Sequence, residues 1–238
     1  MLKLIIRQAN WGLLGSVFAF AIGFFVKTYV IREVGTIEWG KYATAHTFVM
    51  FFDTILSLAI PFVILKFFPD FMSNSRGKAS SLIQKILRLA IRISIVFLVL
   101  IYFVSPYLDE YVYIKIDAFS YLLLIASLHV PISIFMGIIT SLFRSVLKIK
   151  EIVLYGTFFS VPLRAMLTFV VFQFSSNIIF FVAVEILTQL LTLLLMYWIF
   201  HKNEMKLFGV RNFEEYDFPD DVKTYGKKVY STSIVLFF

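Results

Sequence analysis

The sequence predicts an all-α integral membrane protein: a polytopic helix bundle with six transmembrane helices, the start of a seventh, and a cytoplasmic N-terminus. Three observations predict this class. The chain contains six long apolar runs, its Lys and Arg residues are distributed one-sidedly, and only 16% of its residues are charged, where soluble proteins carry about 25%. Because 60% of the residues are hydrophobic, most of the apolar surface must face lipid or neighbouring membrane helices.

Each apolar run is long enough to cross the membrane as a helix. About 20 residues cover a hydrocarbon layer of roughly 30 Å, in which a helix satisfies its own backbone hydrogen bonds. The first run is too long for the apolar part of a signal peptide and has no small-residue cleavage site. The predicted runs are Trp11–Ile31, Tyr42–Phe67, Leu89–Leu108, Phe119–Phe143, Ile152–Phe174 and Asn177–Phe200.

The positive charges predict the orientation. With a cytoplasmic N-terminus, 17 of the 22 Lys and Arg residues lie inside and four outside, and Arg164 lies within a helix. Cytoplasmic loops of membrane proteins carry such an excess. The net charge of +7 therefore indicates topology and contact with anionic lipid head groups, not nucleic-acid binding. We expect a multi-pass protein of the cell (cytoplasmic) membrane.

The connections between runs are short, so consecutive helices should pack as antiparallel hairpins. The predicted outer connections are Glu33–Lys41, Asp109–Asp117 and Ser175–Ser176. The first inner connection, Phe71–Arg88, contains a turn cluster of Ser, Asn and Gly. The amphipathic stretch Ala79–Arg92 overlaps its end and is predicted to be an extension of the third helix at the interface.

Residues 1–200 are predicted to form a six-helix lobe, residues 201–229 a cytoplasmic loop, and residues 230–238 the start of a truncated seventh helix. The motif Phe218-Pro219-Asp220-Asp221 predicts a helix start with an aspartate as N-cap. Capping is favoured over metal binding for the acidic cluster here, which comprises Glu214, Glu215, Asp217, Asp220 and Asp221. Because the run Tyr230–Phe238 has barely begun where the sequence stops, we interpret it as the beginning of a missing second lobe.

Four titratable side chains are predicted to lie near the membrane midplane: Asp53, His129, Arg164 and Glu185. Counting about 1.5 Å per residue from the predicted outer helix ends places each roughly 12–16 Å deep. Charges at this depth are costly, which makes these residues candidates for a substrate or ion pathway. Arg164 and Glu185 are expected to form an ion pair, which either stabilises the fold alone or lines a polar cavity.

The surroundings of the other candidates leave alternatives open. Helix kinks are expected at Pro131, beside His129, and at Pro162. His129 is either a hydrogen-bonded packing residue or a proton relay. Asp53 either couples transport to a proton or Na⁺, or pairs with His129 or another helix. Lys27 and Arg32, near the outer end of the first helix, either attract an anionic phosphate or extend to the interface.

The sequence carries no motif for covalent chemistry. It has no Cys, and it lacks a Gly-rich phosphate loop, a Ser/His/Asp set and an HExxH helix. We therefore expect no catalytic residues, no cofactor and no metal. The three histidines, His46, His129 and His201, are expected to lie far apart.

The junction between the first two runs carries a family resemblance. It reads Arg32-Glu-Val-Gly35-Thr-Ile-Glu38-Trp39-Gly40-Lys-Tyr42, and it resembles the oligosaccharide flippase family, whose first helix commonly ends Arg-x-Leu-Gly-x-x-Glu-Tyr/Phe-Gly-x-Tyr. The second run continues the resemblance with Ser57-Leu-Ala-Ile-Pro61 and with Lys66-Phe-Phe-Pro-Asp-Phe71. The departures are Trp39 for Tyr or Phe, Ala59 for Gly and Lys66 for Arg. The matched residues Arg32, Gly35, Glu38, Gly40 and Tyr42 look like fold-defining junction residues, and both glycines are expected in turn conformations.

The resemblance implies two six-helix lobes around a central cavity, alternating access, and outward movement of lipid-linked oligosaccharides. This chain would then be the N-terminal lobe of a transporter. Its expected partners are membrane lipids, the lipid-linked substrate and a second six-helix lobe, from another copy or a separate chain. The alternatives are a non-transporting scaffold subunit of a polysaccharide-assembly complex, a non-functional flippase fragment and, less favoured, a membrane transferase.

Overall fold

The computed structural model describes residues 2–57, 59–74, 76–108, 110, 119–203 and 220–237, with the side chains of 2–7, 220 and 233–237 left out. Every regular element in these ranges is a helix, which confirms the all-α prediction. The α-helices are α1 Leu2–Val34, α2 Thr36–Ser57, α3 Ile60–Asn74, α4 Arg76–Tyr107, α5 Phe119–Ser127, α6 His129–Ser145, α7 Ile149–Glu151, α8 Ser160–Phe172, α9 Ile178–Asn203 and α10 Asp220–Phe237, and a π-helical segment covers Ile152–Thr157.

Six stretches within the described ranges are long and apolar enough to cross a membrane, as predicted. Numbered in chain order, spans 1 to 6 are Gln8–Val34, Thr36–Asn74, Arg76–Tyr107, Phe119–Ser145, Ile149–Phe172 and Ile178–Asn203. Spans 2, 4 and 5 each combine two or more of the helical elements.

The predicted inner connection Phe71–Arg88 is wrong, because α3 runs to Asn74 and α4 begins at Arg76. The amphipathic stretch that follows continues span 3, as expected. Its apolar face, with Leu82, Ile83 and Ile86, is buried in a helix that contacts α3, α5 and α6. Burying this face against the protein keeps the segment helical.

The outer junction between spans 1 and 2 is shorter than predicted and consists of Gly35. Its φ of 84° lies in the left-handed region that favours glycine, and its N–H donates to Ile31 O over 2.9 Å. Gly35 therefore ends α1 and allows α2 to begin at once, as its predicted role required. The same prediction is wrong for Gly40, which lies inside α2.

Three spans are interrupted two to four residues before a proline. The breaks separate α2 from α3, α5 from α6 and the π-helical segment from α8, and the prolines are Pro61, Pro131 and Pro162. Proline has no backbone N–H to donate to the carbonyl four residues earlier, and its ring clashes with that carbonyl. The helices are interrupted before Pro131 and Pro162, where kinks were expected, and before Pro61 as well.

Helix α6 lies at the centre of the bundle and contacts α2, α3, α4 and α9. The buried rings of Phe143 and Phe200 meet edge to face between α6 and α9, with centroids 5.2 Å apart. Span 1 is far less covered, since Phe20 and Phe25 are 77% and 72% exposed. One side of the bundle is thus closed by packing, while span 1 presents apolar side chains outward.

Helix α10 begins at Asp220, which confirms the predicted helix start. The side chain of Asp220 and all of Glu214, Glu215 and Asp217 lie outside the described residues, so the capping prediction stays open. The helix contacts α3 and is not among the six apolar spans. Its predicted entry into the membrane as a seventh span therefore stays a prediction.

Candidate functional site

A partly open cavity of about 330 Å³ lies between spans 4, 5 and 6. Helix α6, the π-helical segment, α8 and α9 form its wall. Three of the four titratable residues predicted at mid-depth lie on this wall: His129, Arg164 and Glu185. The structure thus brings these three together, with other polar side chains around them.

Glu185 accepts a hydrogen bond at each carboxylate oxygen. Arg164 Nη1 donates to Oε1 over 3.1 Å, so the expected ion pair is present. Tyr42 Oη donates to Oε2 over 2.7 Å. The side chain of Arg164 is 33% exposed and that of Glu185 is 15% exposed. A guanidinium group has five N–H donors, so Arg164 retains donors beyond the one it gives to Glu185.

Tyr42 belongs to this site, although the sequence indicated only a junction role. It is 6% exposed, and its ring stacks on His46 with centroids 5.4 Å apart. Helix α2 begins at Thr36, so Tyr42 lies about 9 Å along its helix rather than at its end. Glu185, counted from Ile178, lies about 10 Å along α9, which explains why the two side chains meet.

His46 and His129 are neighbours, with ring centroids 5.9 Å apart. The expectation that the three histidines lie far apart is therefore wrong for this pair, because α2 packs against the start of α6. His201 instead faces the ring of Tyr197 at 5.7 Å. The described residues contain no group of three or more His, Asp or Glu side chains arranged to hold a metal ion.

Asp53 lies apart from the cavity wall. It accepts a hydrogen bond at Oδ2 from Ser133 Oγ over 2.9 Å, so its partner is on α6 but is not His129. Counted from Thr36, Asp53 lies about 25 Å along span 2, roughly 16 Å beyond Tyr42. The depth of the four residues in the membrane stays a prediction, and Asp53 does not line the cavity that the other three share.

A polar stripe on α9 was not predicted. Glu185, Thr188, Gln189 and Thr192 all line the cavity, and their spacing of three, four and seven residues places them on one helix face. That periodicity was readable in the sequence. The stripe runs from Glu185 to Thr192, about 10 Å along α9 toward the predicted cytoplasmic end.

Hydrogen bonding along this stripe does not use every acceptor oxygen. The hydroxyl groups of Thr188 and Thr192 donate to backbone carbonyls one turn earlier, over 2.8 Å and 2.7 Å. Their oxygens can still accept. Gln189 Oε1 is buried and has no hydrogen-bond partner within the described part of the chain. The stripe therefore contains acceptor oxygens beside the cavity, with Thr188 and Thr192 each 2% exposed.

The remaining predicted residues lie at the outer junction. Lys27 Nζ sits 5.5 Å from the ring centroid of Trp39, and Glu38 pairs with Lys41 over 2.8 Å. Arg32 is exposed. None of these residues lines the cavity, so the structure separates the junction motif from the site at every position except Tyr42.

The fold of this chain is similar to that of a solved structure. The match has a TM-score of 0.61 and 11% identity and covers 97% of this chain and 51% of the other, which is described as "Reverse polarity of binding pocket suggests different function of a MOP superfamily transporter from Pyrococcus furiosus Vc1 (DSM3638)". At this identity the match shows a shared fold. The chain therefore has the fold of about half of a MOP superfamily transporter.

The family follows from the sequence itself. The family model described as "Polysaccharide biosynthesis protein" matches residues 5–237, nearly the whole chain. The chain belongs to this family, and the family resemblance at Arg32–Tyr42 is confirmed at that level. No curated protein matches the chain.

Proposed function

We propose that this chain is one lobe of a two-lobe transporter that moves lipid-linked oligosaccharide or polysaccharide precursors across the membrane by alternating access. The observation that carries the proposal is the polar cavity that holds Arg164 and Glu185 between spans 4, 5 and 6. Membership of the polysaccharide biosynthesis protein family supports the substrate class. The fold shared with a MOP superfamily transporter supports the two-lobe arrangement.

The chemistry of the cavity suits a head group that combines phosphate and sugar. In the proposal, the donors that Arg164 retains bind a phosphate oxygen by charge-assisted hydrogen bonds. The acceptors of the α9 stripe receive hydrogen bonds from sugar hydroxyl groups. Such a site lowers the cost of carrying a charged head group through hydrocarbon, where unpaired charges are expensive.

Glu185 has a separate role in this proposal. It neutralises Arg164 when the cavity is empty, and a substrate phosphate competes with it for the guanidinium group. Tyr42 holds the carboxylate by the opposite oxygen, so that Glu185 stays in place when Arg164 turns to the substrate. Arg164 then exchanges its ion pair with Glu185 for an ion pair with the substrate phosphate.

The size of the cavity supports a need for a second lobe. About 330 Å³ is at the lower end of the range of roughly 300–1,000 Å³ found for small-molecule sites. This volume suits only part of an oligosaccharide head group. The chain spans about half the length of the structure that it matches, and a second lobe would supply the facing wall.

The proposal is tested by the leaflet distribution of lipid-linked oligosaccharide in a deletion strain. A transporter predicts accumulation on the inner leaflet and recovery when the chain is expressed together with its native genomic neighbours. Normal translocation together with a mislocalised polysaccharide synthase would contradict the proposal and favour a scaffold.

A further inference from the structure

Span 5 contains one turn that is wider than an α-helical turn. In the π-helical segment Ile152–Thr157, the N–H of Phe158 donates to Val153 O, five residues earlier, over 2.8 Å. An α-helix makes this bond to the carbonyl four residues earlier. Single π-helical turns are rare and are frequent at functional sites. This one forms part of the wall of the polar cavity.

The wide turn decides which side chains of span 5 face the cavity. Ile152, Gly156, Ser160 and Arg164 all line it at a spacing of four residues. In an uninterrupted α-helix each residue adds about 100°, so a stripe with this spacing drifts by about 120° between its first and last members. The π turn holds one extra residue and so takes up about 100° of the drift. With the first half of the span in place, an α-helical turn would put Leu163 where Arg164 now faces.

The first half of span 5 is fastened to span 1. Gln8 Oε1 accepts a hydrogen bond from the N–H of Ile149 over 2.9 Å, and Gln8 Nε2 donates to Leu147 O. Gly15 packs so closely on the π-helical segment that a Cβ atom on it would lie 2.8 Å from Val153 Cγ1. A change of register in the turn is therefore taken up by the second half of the span, which is α8.

Helix α8 is lightly packed and joined to the turn by a weak connection. Only Thr168 and Phe172 of its side chains are buried, and Met166 is 69% exposed. Pro162 has no N–H to donate to the carbonyl of Phe158. Thr168 Oγ1 is buried without a hydrogen-bond partner in the part of the chain that the structure describes, and such an unmade bond costs free energy in the present register.

We propose that the π turn is a register switch that moves Arg164 away from Glu185 when an anionic head group binds. In the empty site the turn is π-helical and the two side chains are paired. A phosphate on Arg164 and the Glu185 carboxylate are like charges that repel each other. This repulsion favours the α-helical turn, which rotates α8 by about 100° and separates them. The inference rests on the proposed function, because it names the motion by which Arg164 exchanges its partner.

Deletion of Leu154 tests the switch because it removes the extra residue of the turn. Leu154 is partly buried and lies outside the cavity wall. The shortened turn forms an α-helix while both halves of the span keep their directions, so Arg164 still pairs with Glu185 but the register is fixed. A double-mutant cycle on this pair should give the same coupling as in the wild type. Leu154→Ala is the matched control, since it keeps the chain length and should switch normally.

The rotation is measured as a distance between two spin labels on the purified full chain in micelles. The chain has no Cys, so Val17→Cys on α1 and Met166→Cys on α8, at sites 61% and 69% exposed, define the pair. The probe is polyprenyl phosphate, with polyprenol as the uncharged control. Rotation by about 100° moves a label on the helix surface by up to about 8 Å. We expect polyprenyl phosphate to change the distance by several ångströms in the wild-type and Leu154→Ala backgrounds, and polyprenol to leave it unchanged.

In the deletion background the label distance should not respond to either lipid. An equal change there would overturn the proposal, because rotation would then not need the extra residue. A constant distance in the wild-type background would also overturn it, whether or not the deletion variant folds. Loss of the Arg164–Glu185 coupling on deletion of Leu154 would show that the turn does not hold the extra residue. A constant distance together with transport that depends on Arg164 removes the switch alone, whereas a changed distance with transport independent of Arg164 removes the transport proposal alone.

Discussion

The Tyr42 hydroxyl group donates a hydrogen bond to Glu185 over 2.7 Å, joining residues that are 143 positions apart. This contact ties the outer junction between spans 1 and 2 to the polar cavity between spans 4, 5 and 6. The junction motif and the mid-membrane charges were separate features of the sequence. In the folded chain, Tyr42 from the junction motif and Arg164 from the cavity both donate hydrogen bonds to the Glu185 carboxylate.

Replacing Tyr42 by Phe removes this hydrogen bond and keeps the aromatic ring. We expect Tyr42→Phe to lower the free energy of unfolding by about 1 kcal/mol, the scale of a polar contact between membrane helices. Reversible unfolding in mixed micelles measures the change. Tyr29→Phe is the matched control, because the Tyr29 ring packs on Phe169 and Phe172. An equal loss in both variants would assign no stability to the contact with Glu185.

The Arg164–Glu185 pair should behave as a coupled unit in stability. Each single change, Arg164→Gln or Glu185→Gln, leaves a partly buried charge without its partner, which costs about 1–2 kcal/mol. The double variant removes both charges, so its loss should be smaller than the sum of the single losses. A double-mutant cycle on unfolding free energies measures this coupling. Strict additivity would show that the two side chains do not stabilise each other.

Asp53 allows a test of whether a negative charge outside the cavity contributes to the free energy of unfolding. Its Oδ1 is buried and has no hydrogen-bond partner among the described residues, and burying a charged carboxylate costs more than burying a neutral amide. Asp53→Asn keeps an acceptor for Ser133 and should leave the unfolding free energy equal or raise it by up to about 1 kcal/mol. Thermal unfolding measures the change, and Ser133→Ala reports the hydrogen bond separately. A marked destabilisation by Asp53→Asn would show that the carboxylate has a stabilising partner.

The two junction glycines should respond oppositely to alanine. Gly35 has a φ of 84°, which costs an L-residue roughly 1–2 kcal/mol, so Gly35→Ala should destabilise. Gly40 lies inside α2, and a Cβ atom there meets nothing within 4 Å. Gly40→Ala should therefore stabilise by about 0.5–1 kcal/mol. The unfolding free energies of the two variants measure this difference. Destabilisation of similar size in both variants would contradict the prediction.

Helix number and the Arg164–Glu185 pair could be predicted because each depends on local signals, namely apolar length and the cost of an unpaired charge. The start of span 2 could not be placed, because residues 36–41 are too polar to extend the apolar run. Tyr42 was therefore placed at the end of its helix, although its hydroxyl group contacts Glu185 on the cavity wall. The neighbouring positions of His46 and His129 depend on contacts between non-consecutive helices, which no local pattern records.

The α9 stripe was missed for a different reason. Thr188, Gln189 and Thr192 carry no charge, so the cost of a buried charge does not single them out. The helical period of these three residues together with Glu185 would have revealed the cavity wall in span 6.

The central claim is that the cavity holding Arg164 and Glu185 carries a lipid-linked saccharide across the membrane. The most direct test is the fraction of lipid-linked oligosaccharide on the inner leaflet in deletion cells that express wild type, Arg164→Gln, Glu185→Gln or the distant control Lys202→Gln at equal membrane levels. We predict inner-leaflet accumulation with both cavity variants, with outward transport at least tenfold slower, and none with wild type or Lys202→Gln. Wild-type distribution with both cavity variants would contradict a role for the cavity in transport.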